Sequence, residues 1–492
     1  MNKKVYLFFG LIILVALFFR LYNFQNRWGF AYDQAHDYLV AKYALDAHKI
    51  PLVGPFSSAG PFQTGGQWYW IVMVGMALFP FVFYGPWVFM ALWSFVFVLV
   101  IMKLAYEMNG YTFSIIAGIL AILSPAQVSQ SVHLTNQSPL AMISLLALWA
   151  GYRHLTSRSF VSAFFFGLFV ALAPLIHLSG ALLFVFAFVF IVFSGMFRRA
   201  GIFGCILGGV CSLFPLAYYD SNHNFYNFNH MFRYLFIEKN SISYEVLGRR
   251  WLTYLSDLIP YQIGRISTGN SIMGVCTYIF SLVVSLYEKV KKRLSFIGMI
   301  NISIAVMFFI IRYIKTPLYD SYFVFIHPFI ILSSSYVIFW IIARKKIIGY
   351  IVFAVIFIRL ISVLPPELST QSNTLYADVI SGTSTLAAAF PGEKFSLHDF
   401  TYKSAAYSLP LSSYLSYKDL ISEDGIPVGI RIASPSAIVN SDISFGTQAG
   451  YEFLDLRSKV LDTQFKNDWF RVNPLDVYRS TEEWDESTSS SK

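Results

Sequence analysis

The sequence predicts a polytopic α-helical membrane protein of about 11–13 transmembrane helices, closed by a small extracytoplasmic α/β domain. Three observations lead there. Of the 492 residues, 56% are apolar and only 13% are charged, about half the ~25% charged content of soluble domains. Apolar runs long enough to cross a bilayer recur as far as residue 364. Beyond Pro365 the composition turns to Ser, Thr, Asp and Gly. Aromatics reach 18%, with 49 Phe and 31 Tyr, which suits lipid-facing surfaces with interfacial belts. The net charge of +9 lies in short basic clusters between apolar runs, a pattern of cytoplasmic anchoring that argues against nucleic acid as a partner. Three cysteines build neither a disulfide framework nor a Cys-type zinc site.

The first apolar run, Val5 to Tyr22, follows Lys3 and Lys4. Phe18-Phe19-Arg20-Leu21 offers no small-x-small cleavage motif, so this is an uncleaved helix with a cytoplasmic N-terminus. Further spans fall at 86–104, 110–127, 137–152, 160–176, 178–196, 200–218, 272–288, 295–312, 321–342 and 347–364. Alternation along these spans puts Lys103, Arg153 with Arg158, Arg198-Arg199, Lys289 to Arg293 and Arg344-Lys345-Lys346 inside, and the C-terminal segment outside. A full crossing at 68–84 reverses every later cluster, so this stretch reads as a short re-entrant or interfacial helix, or as one of a pair with a span merged into its neighbour. The domains are then a transmembrane module, 1–364, with outer loops 23–67 and 219–271, and an extracytoplasmic domain, 365–480. Within the latter, Asn373–Phe390 reads as helix, and Lys394–Phe400 and Ile426–Ala433 as strands. Residues 481–492, acidic and Ser-rich, read as disordered.

The first outer loop carries Tyr32-Asp33-Gln34-Ala35-His36-Asp37-Tyr38, with apolar positions at helical spacing. An interfacial amphipathic helix follows from that spacing. Asp33 and Asp37 share one face with His36 beside them, at a local cost of about 0.2–0.5 kcal/mol for like charges. Next come the Gly/Pro-braced stretches Pro51-Leu52-Val53-Gly54-Pro55-Phe56 and Gly65-Gly66-Gln67-Trp68-Tyr69-Trp70. Two later stretches stand out. One runs from Ser124-Pro125 through His133-Leu134-Thr135-Asn136 to Pro139; the other is Leu175-Ile176-His177-Leu178-Ser179-Gly180.

Taken in order, these stretches resemble the motifs of the integral-membrane glycosyltransferases of the GT-C fold. The likeness is closest to the branch of protein O-mannosyltransferases and lipid A aminoarabinose transferases, and it covers roughly residues 1–235. Many relatives carry Glu where Gln34 stands here. The resemblance implies a membrane enzyme, embedded among lipids, that moves a sugar with inversion. The donor is a polyprenyl-phosphate carrier, and the acceptor (protein, lipid or glycan) lies on the extracytoplasmic face. Asp33 is the expected general base, with Asp37 a second acid; Gln34, His36, Gln67, Tyr69, His133, Asn136 and His177 are expected around the substrates. Asp220 suits a sugar hydroxyl or marks a helix end. Arg233, Lys239, Arg249, Arg250 and Arg265 are the outer cations suited to the lipid phosphate. Some relatives use a divalent cation, for which Asp33 and Asp37 offer oxygens. Two other classes fit the composition: a lipid-linked glycan transporter or flippase, and a non-catalytic assembly subunit. A transporter buries charges mid-span, whereas the spans here are nearly free of acids.

Overall fold

The computed structural model describes residues 3–482 except 58–59, 195–198, 238–252, 292–293, 314–317, 400–407, 433–443, 449–450 and 456–469. In chain order the helices are α1 (Lys3–Leu21), α2 (Phe24–Arg27), α3 (Tyr32–Asp46), α4 (Gln67–Leu78), α5 (Gly85–Leu123), α6 (Pro125–Gln130), α7 (Leu140–Ser157), α8 (Phe160–Ile176), α9 (Leu183–Ser194), α10 (Arg199–Asn222) and α11 (Tyr226–Phe232). They continue with α12 (Ile259–Ser267), α13 (Ser271–Lys291), α14 (Phe296–Ile311), α15 (His327–Arg344), α16 (Lys346–Ser369), α17 (Thr374–Ala389), α18 (Ser408–Tyr417) and α19 (Pro474–Glu482). Helix occupies every one of the eleven expected spans. Among the described residues, four helices are long and apolar enough to cross a membrane, or five if a pair bent by 84° around residue 269 counts as one span. Two reasons separate this count from eleven. Helices such as α8 have only 17 residues, about 26 Å of rise. The 39-residue α5 is two helices joined across a kink at Asn109 and Gly110, the latter with a φ of 78° that only glycine adopts freely, so two expected spans count as one element. The stretch 68–84 contains the 12-residue α4.

The chain divides into two compact units, the first made of residues 1–24, 56–65 and 90–370, the second of 25–55, 66–89 and 371–492. The first is the helical membrane unit. Several of its buried polar groups are met from inside, as a bilayer favours. Arg20, fully buried, donates to the carbonyls of Ile122 (2.7 Å) and Ala121 (2.9 Å), tying α1 to the last turn of α5. Asn301 donates to Ser281 and Ser285 at 2.9 and 2.8 Å and accepts from Ser333 at 2.7 Å, which knots α13, α14 and α15. Helices α8 and α10 touch backbone to backbone: a Cβ added at Gly167 would lie 1.9 Å from the Cys205 carbonyl, and one at Gly208 2.0 Å from that of Phe164. Small residues permit this approach, on which helix association in lipid depends.

The second unit is held by aromatic rings. Trp28 lies 4.9 Å from both Trp87 and Tyr376, and Phe83 stacks on Tyr376 at 5.7 Å and meets Tyr414 at 5.3 Å. The rings come from the first loop, from the start of α5 and the chain just before it, and from the tail helices α17 and α18. Backbone bonds tie the same segments, with the Ser372 N–H donating to the Asn26 carbonyl at 2.8 Å. The tail therefore shares its core with the first loop. After β1 (Val53–Phe56) and β2 (Gln63–Gly65), the remaining strands are β3 (Phe395–Asp399), β4 (Ile426–Ile432), β5 (Ser444–Gln448), β6 (Tyr451–Asp455) and β7 (Phe470–Arg471). They form one mixed sheet, ordered β5-β6-β4-β3-β7, with β3 and β4 parallel from Phe395↔Ile426 to Asp399↔Ile430. The expected helix and two strands of the tail are present; α18, β5, β6 and β7 add to them. Helix α19 continues through residues 481 and 482, where disorder was expected, and 483–492 lie outside the described residues.

The α8–α10 contact makes a sharp prediction. Gly208→Ala forces Cβ into a carbonyl and should cost about 1–3 kcal/mol as overpacking. Gly209→Ala meets the Ala171 methyl at 3.8 Å and the Gly167 carbonyl at 3.9 Å, ordinary contact distances, and should stay within about 0.5 kcal/mol. Thermal midpoints in detergent measure the difference; equal midpoints would refute the close contact.

Candidate functional site

Helix α3 begins after the extended Ala31, with Asp33 in its first turn. It is not the half-exposed interfacial helix that its spacing suggests. Gln34, Ala35, Asp37 and the run Tyr38–Ala41 are all buried, because α4, α18 and α19 pack around it. Asp33 is the open acid: it faces solvent, and no hydrogen-bond donor reaches it among the described residues. Desolvation by the surrounding protein, and then the Asp37 carboxylate, hold its carboxyl above the ordinary aspartate range, with His36 working against them.

Asp37 is committed. Buried within the unit, it accepts the Trp68 indole N–H at 2.7 Å through Oδ2, while Oδ1 lies 3.3 Å from His36 Nδ1. On the other side of the ring, His36 Nε2 lies 3.3 Å from the hydroxyl of Thr481 in α19. The chain Trp68–Asp37–His36–Thr481 fixes α3 from two directions. Tyr43 and Tyr478, with ring centroids 4.8 Å apart, add a second contact between α3 and α19. Gln34, Gln67 and Tyr69 are buried inside this unit, not open at its surface. Gly66 precedes α4 in close contact, since a Cβ there would sit 2.1 Å from the Pro51 carbonyl. Neither Trp68 nor Thr481 was singled out from sequence. An aromatic run hides which indole is a donor, and Thr481 is 445 residues from His36.

The other expected residues belong to the membrane unit. His133 and Asn136 are half-buried in the turn after α6, whose first turn is capped by Ser124 accepting from the Gln127 N–H at 3.3 Å. Gln127 pairs with the buried His327 at 2.7 Å. His177 ends α8 in extended conformation, its Nδ1 2.9 Å from the Ser179 hydroxyl and its ring 5.0 Å from that of Tyr322. Asp220 accepts the backbone N–H groups of Asn227 and Phe228 at 2.8 and 3.0 Å, so both oxygens are used in capping α11. Arg233 is exposed. Arg265 is not an unclaimed phosphate ligand: it pairs with Asp320 at 2.7 Å and Glu367 at 2.9 Å. Lys239, Arg249 and Arg250 lie outside the described residues. No group of three or more His, Cys, Asp or Glu suited to a metal occurs among the described residues. Of the Asp33–Asp37 pair, only Asp33 has uncommitted oxygens for a cation.

Neither a family model nor a curated protein sequence matches this chain. Solved structures do. The crystal structure of ArnT from Cupriavidus metallidurans in the apo state matches with a TM-score of 0.59 at 11% identity, over 92% of this chain and 98% of that one. The same protein bound to undecaprenyl phosphate matches with a TM-score of 0.60, at the same identity and coverage. The Archaeoglobus fulgidus oligosaccharyltransferase in complex with Zn and sulfate matches with a TM-score of 0.51 at 11% identity, over 86% of this chain and 68% of that one. Identity this low establishes architecture alone. With that architecture matched over nine-tenths of its length, the chain is a multi-pass membrane protein of the GT-C fold.

Proposed function

We propose that this protein is an inverting glycosyltransferase that moves a sugar from a polyprenyl-phosphate carrier to an acceptor hydroxyl on the extracytoplasmic face. The observation that carries the reading is the pair of acids on α3, one buried and hydrogen-bonded, the other open and raised in pKa. The likeness to ArnT, a structure of which holds undecaprenyl phosphate, supports a lipid-linked donor. The placement of the basic clusters supports the outer face for the first loop and the tail.

In this reading Asp33 accepts the proton of the acceptor hydroxyl as its oxygen attacks the anomeric carbon. The bond from that carbon to the phosphate oxygen breaks, its electron pair leaves with the lipid phosphate, and the configuration inverts. Asp37 is a positioning residue: held by Trp68 and His36, it fixes α3 and lifts the basicity of Asp33. A raised pKa brings a carboxylate base nearer the working pH. Arg233 is the exposed guanidinium offered to the departing phosphate, and His177, held by Ser179, is a second donor.

Asp33→Asn keeps the shape and removes the base, so kcat should fall by about 10²–10⁴-fold. Transfer from a radiolabelled polyprenyl-phosphate sugar, in membranes with equal protein content, measures it. Retention of more than half the activity excludes Asp33 as base.

The acid limb of kcat/KM should lie above 3.8, the ordinary value for an aspartate, because the base must be ionised and its pKa is raised. Asp37→Asn removes a raising charge and should move the limb to lower pH. His36→Gln removes the opposing influence and should move it higher. Shifts of the same sign in both variants contradict the arrangement.

Arg233→Ala should raise the donor KM several-fold and leave the acceptor KM unchanged. Arg233→Lys should restore only part, because a point charge lacks the bidentate fork. An unaltered donor KM removes Arg233 from the phosphate site.

A further inference from the structure

Helix α11 and the wider turn that prolongs it, Arg233–Ile237, carry a row of exposed rings. Phe225, Phe228, Phe232 and Phe236 are 54%, 57%, 45% and 74% exposed. Centroids 6.2 Å apart for Phe228 and Phe232, and 5.0 Å for Phe232 and Phe236, make the row continuous from Phe228 to Phe236. The opposite flank is pinned to the membrane unit. Asn227 is buried and accepts the Gln63 N–H at 2.8 Å, and the buried Tyr234 has its ring 5.7 Å from that of Phe62. Between the two flanks, on the polar side, Asn229 and Arg233 are exposed. A helix with one buried flank, one aromatic row and one polar stripe has a fixed roll.

What covers the row is indicated by the element before it. Helix α10 is long and apolar enough to cross a membrane, and it exposes Ile206, Val210, Phe214 and Tyr218 along its length. On a span, such a side faces lipid. The chain then turns sharply through Asn224 and Phe225, both in the left-handed region (φ 53° and 56°), with Asp220 capping the next helix. The apolar face thus continues from a lipid-facing span, through one rigid corner, into the phenylalanine row.

We infer that the Phe225–Phe228–Phe232–Phe236 row docks into the headgroup–acyl boundary of the leaflet where α10 ends, with Arg233 at the level of the lipid phosphates. Interfacial helices bury their apolar face about 5–10 Å into that boundary, and a long cation beside it reaches back to the phosphates. The inference rests on the membrane architecture and not on the proposed catalysis. The corner built by Asp220 would then hold α11 flat on the bilayer.

The test uses full-length protein in vesicles of phosphatidylethanolamine and phosphatidylglycerol, with Cys205, Cys211 and Cys276 replaced by serine. Phe228→Cys, Phe232→Cys and, as the polar reference, Asn229→Cys each receive a nitroxide label. Collisions with molecular oxygen, which concentrates in lipid, are compared with those of a water-soluble nickel chelate. Labels at 228 and 232 should collide several-fold more with oxygen than with nickel, and the label at 229 should show the reverse preference. Nickel dominating at 228 and 232 would put the row in water. Shielding from both reagents would mean that a protein partner covers it. Either result overturns the inference, and all three positions are exposed, so labelling does not disturb the core.

Discussion

The hydrogen bond from the Trp68 indole to Asp37 decides what the first loop can do. A buried carboxylate is costly unless it is paired and hydrogen-bonded, and here it lies under α4, α18 and α19. Trp68, with no exposed surface, supplies the donor at 2.7 Å, and His36 faces the other oxygen. Because Asp37 is satisfied, it stays in place as a fixed negative neighbour one helical turn from Asp33. Two acids at i and i+4 would be a minor liability on a free helix. Here the same spacing sorts them into a structural acid and an available one. The Gln34 side chain is buried beside them.

The membrane unit solves a different problem with the same logic. No solvent can complete a polar group inside a bilayer, so each must be completed by protein. Arg20 meets two carbonyls at the end of α5, where the helix dipole favours a cation. Asn301 uses its amide on three serines from two neighbouring helices. The glycines of α8 and α10 contribute differently, by letting backbones meet, since burial of apolar surface gives no net drive between helices already in lipid. Polar satisfaction sets which helices can be neighbours, and small residues set how near they come.

How much of this was legible in the sequence follows from the range of each signal. The helices over the eleven apolar ranges were readable because lipid imposes one length and one polarity. The tail helix and the strands β3 and β4 were readable from local alternation. The character of α3 was misjudged, because spacing reports a periodic pattern and not how many sides are covered. Its extra cover comes from α18 and α19, more than 360 residues downstream, and nothing local in the first loop encodes them. For the same reason His36 could be named as a candidate while its partner Thr481 could not. Asp220 shows the converse: its position at a helix end was evident, but its use as a cap depends on the turn through Asn224 and Phe225.

Charge state alone does not make a phosphate ligand; pairing decides. Arg265 reads as equivalent to Arg233 in the sequence, yet it stands between Asp320 and Glu367, with Gln262 also bonded to Asp320 at 2.7 Å. One guanidinium between two carboxylates leaves a cluster whose net charge is negative, and an incoming phosphate must displace an existing bond to reach it. That cluster belongs to the architecture, joining α12 to α16 through the turn before α15. Arg233 is placed in the opposite way, on an exposed stripe beside an aromatic row, with its charge open to solvent. The difference between the two arginines lies in the acids around them, not in the residue itself.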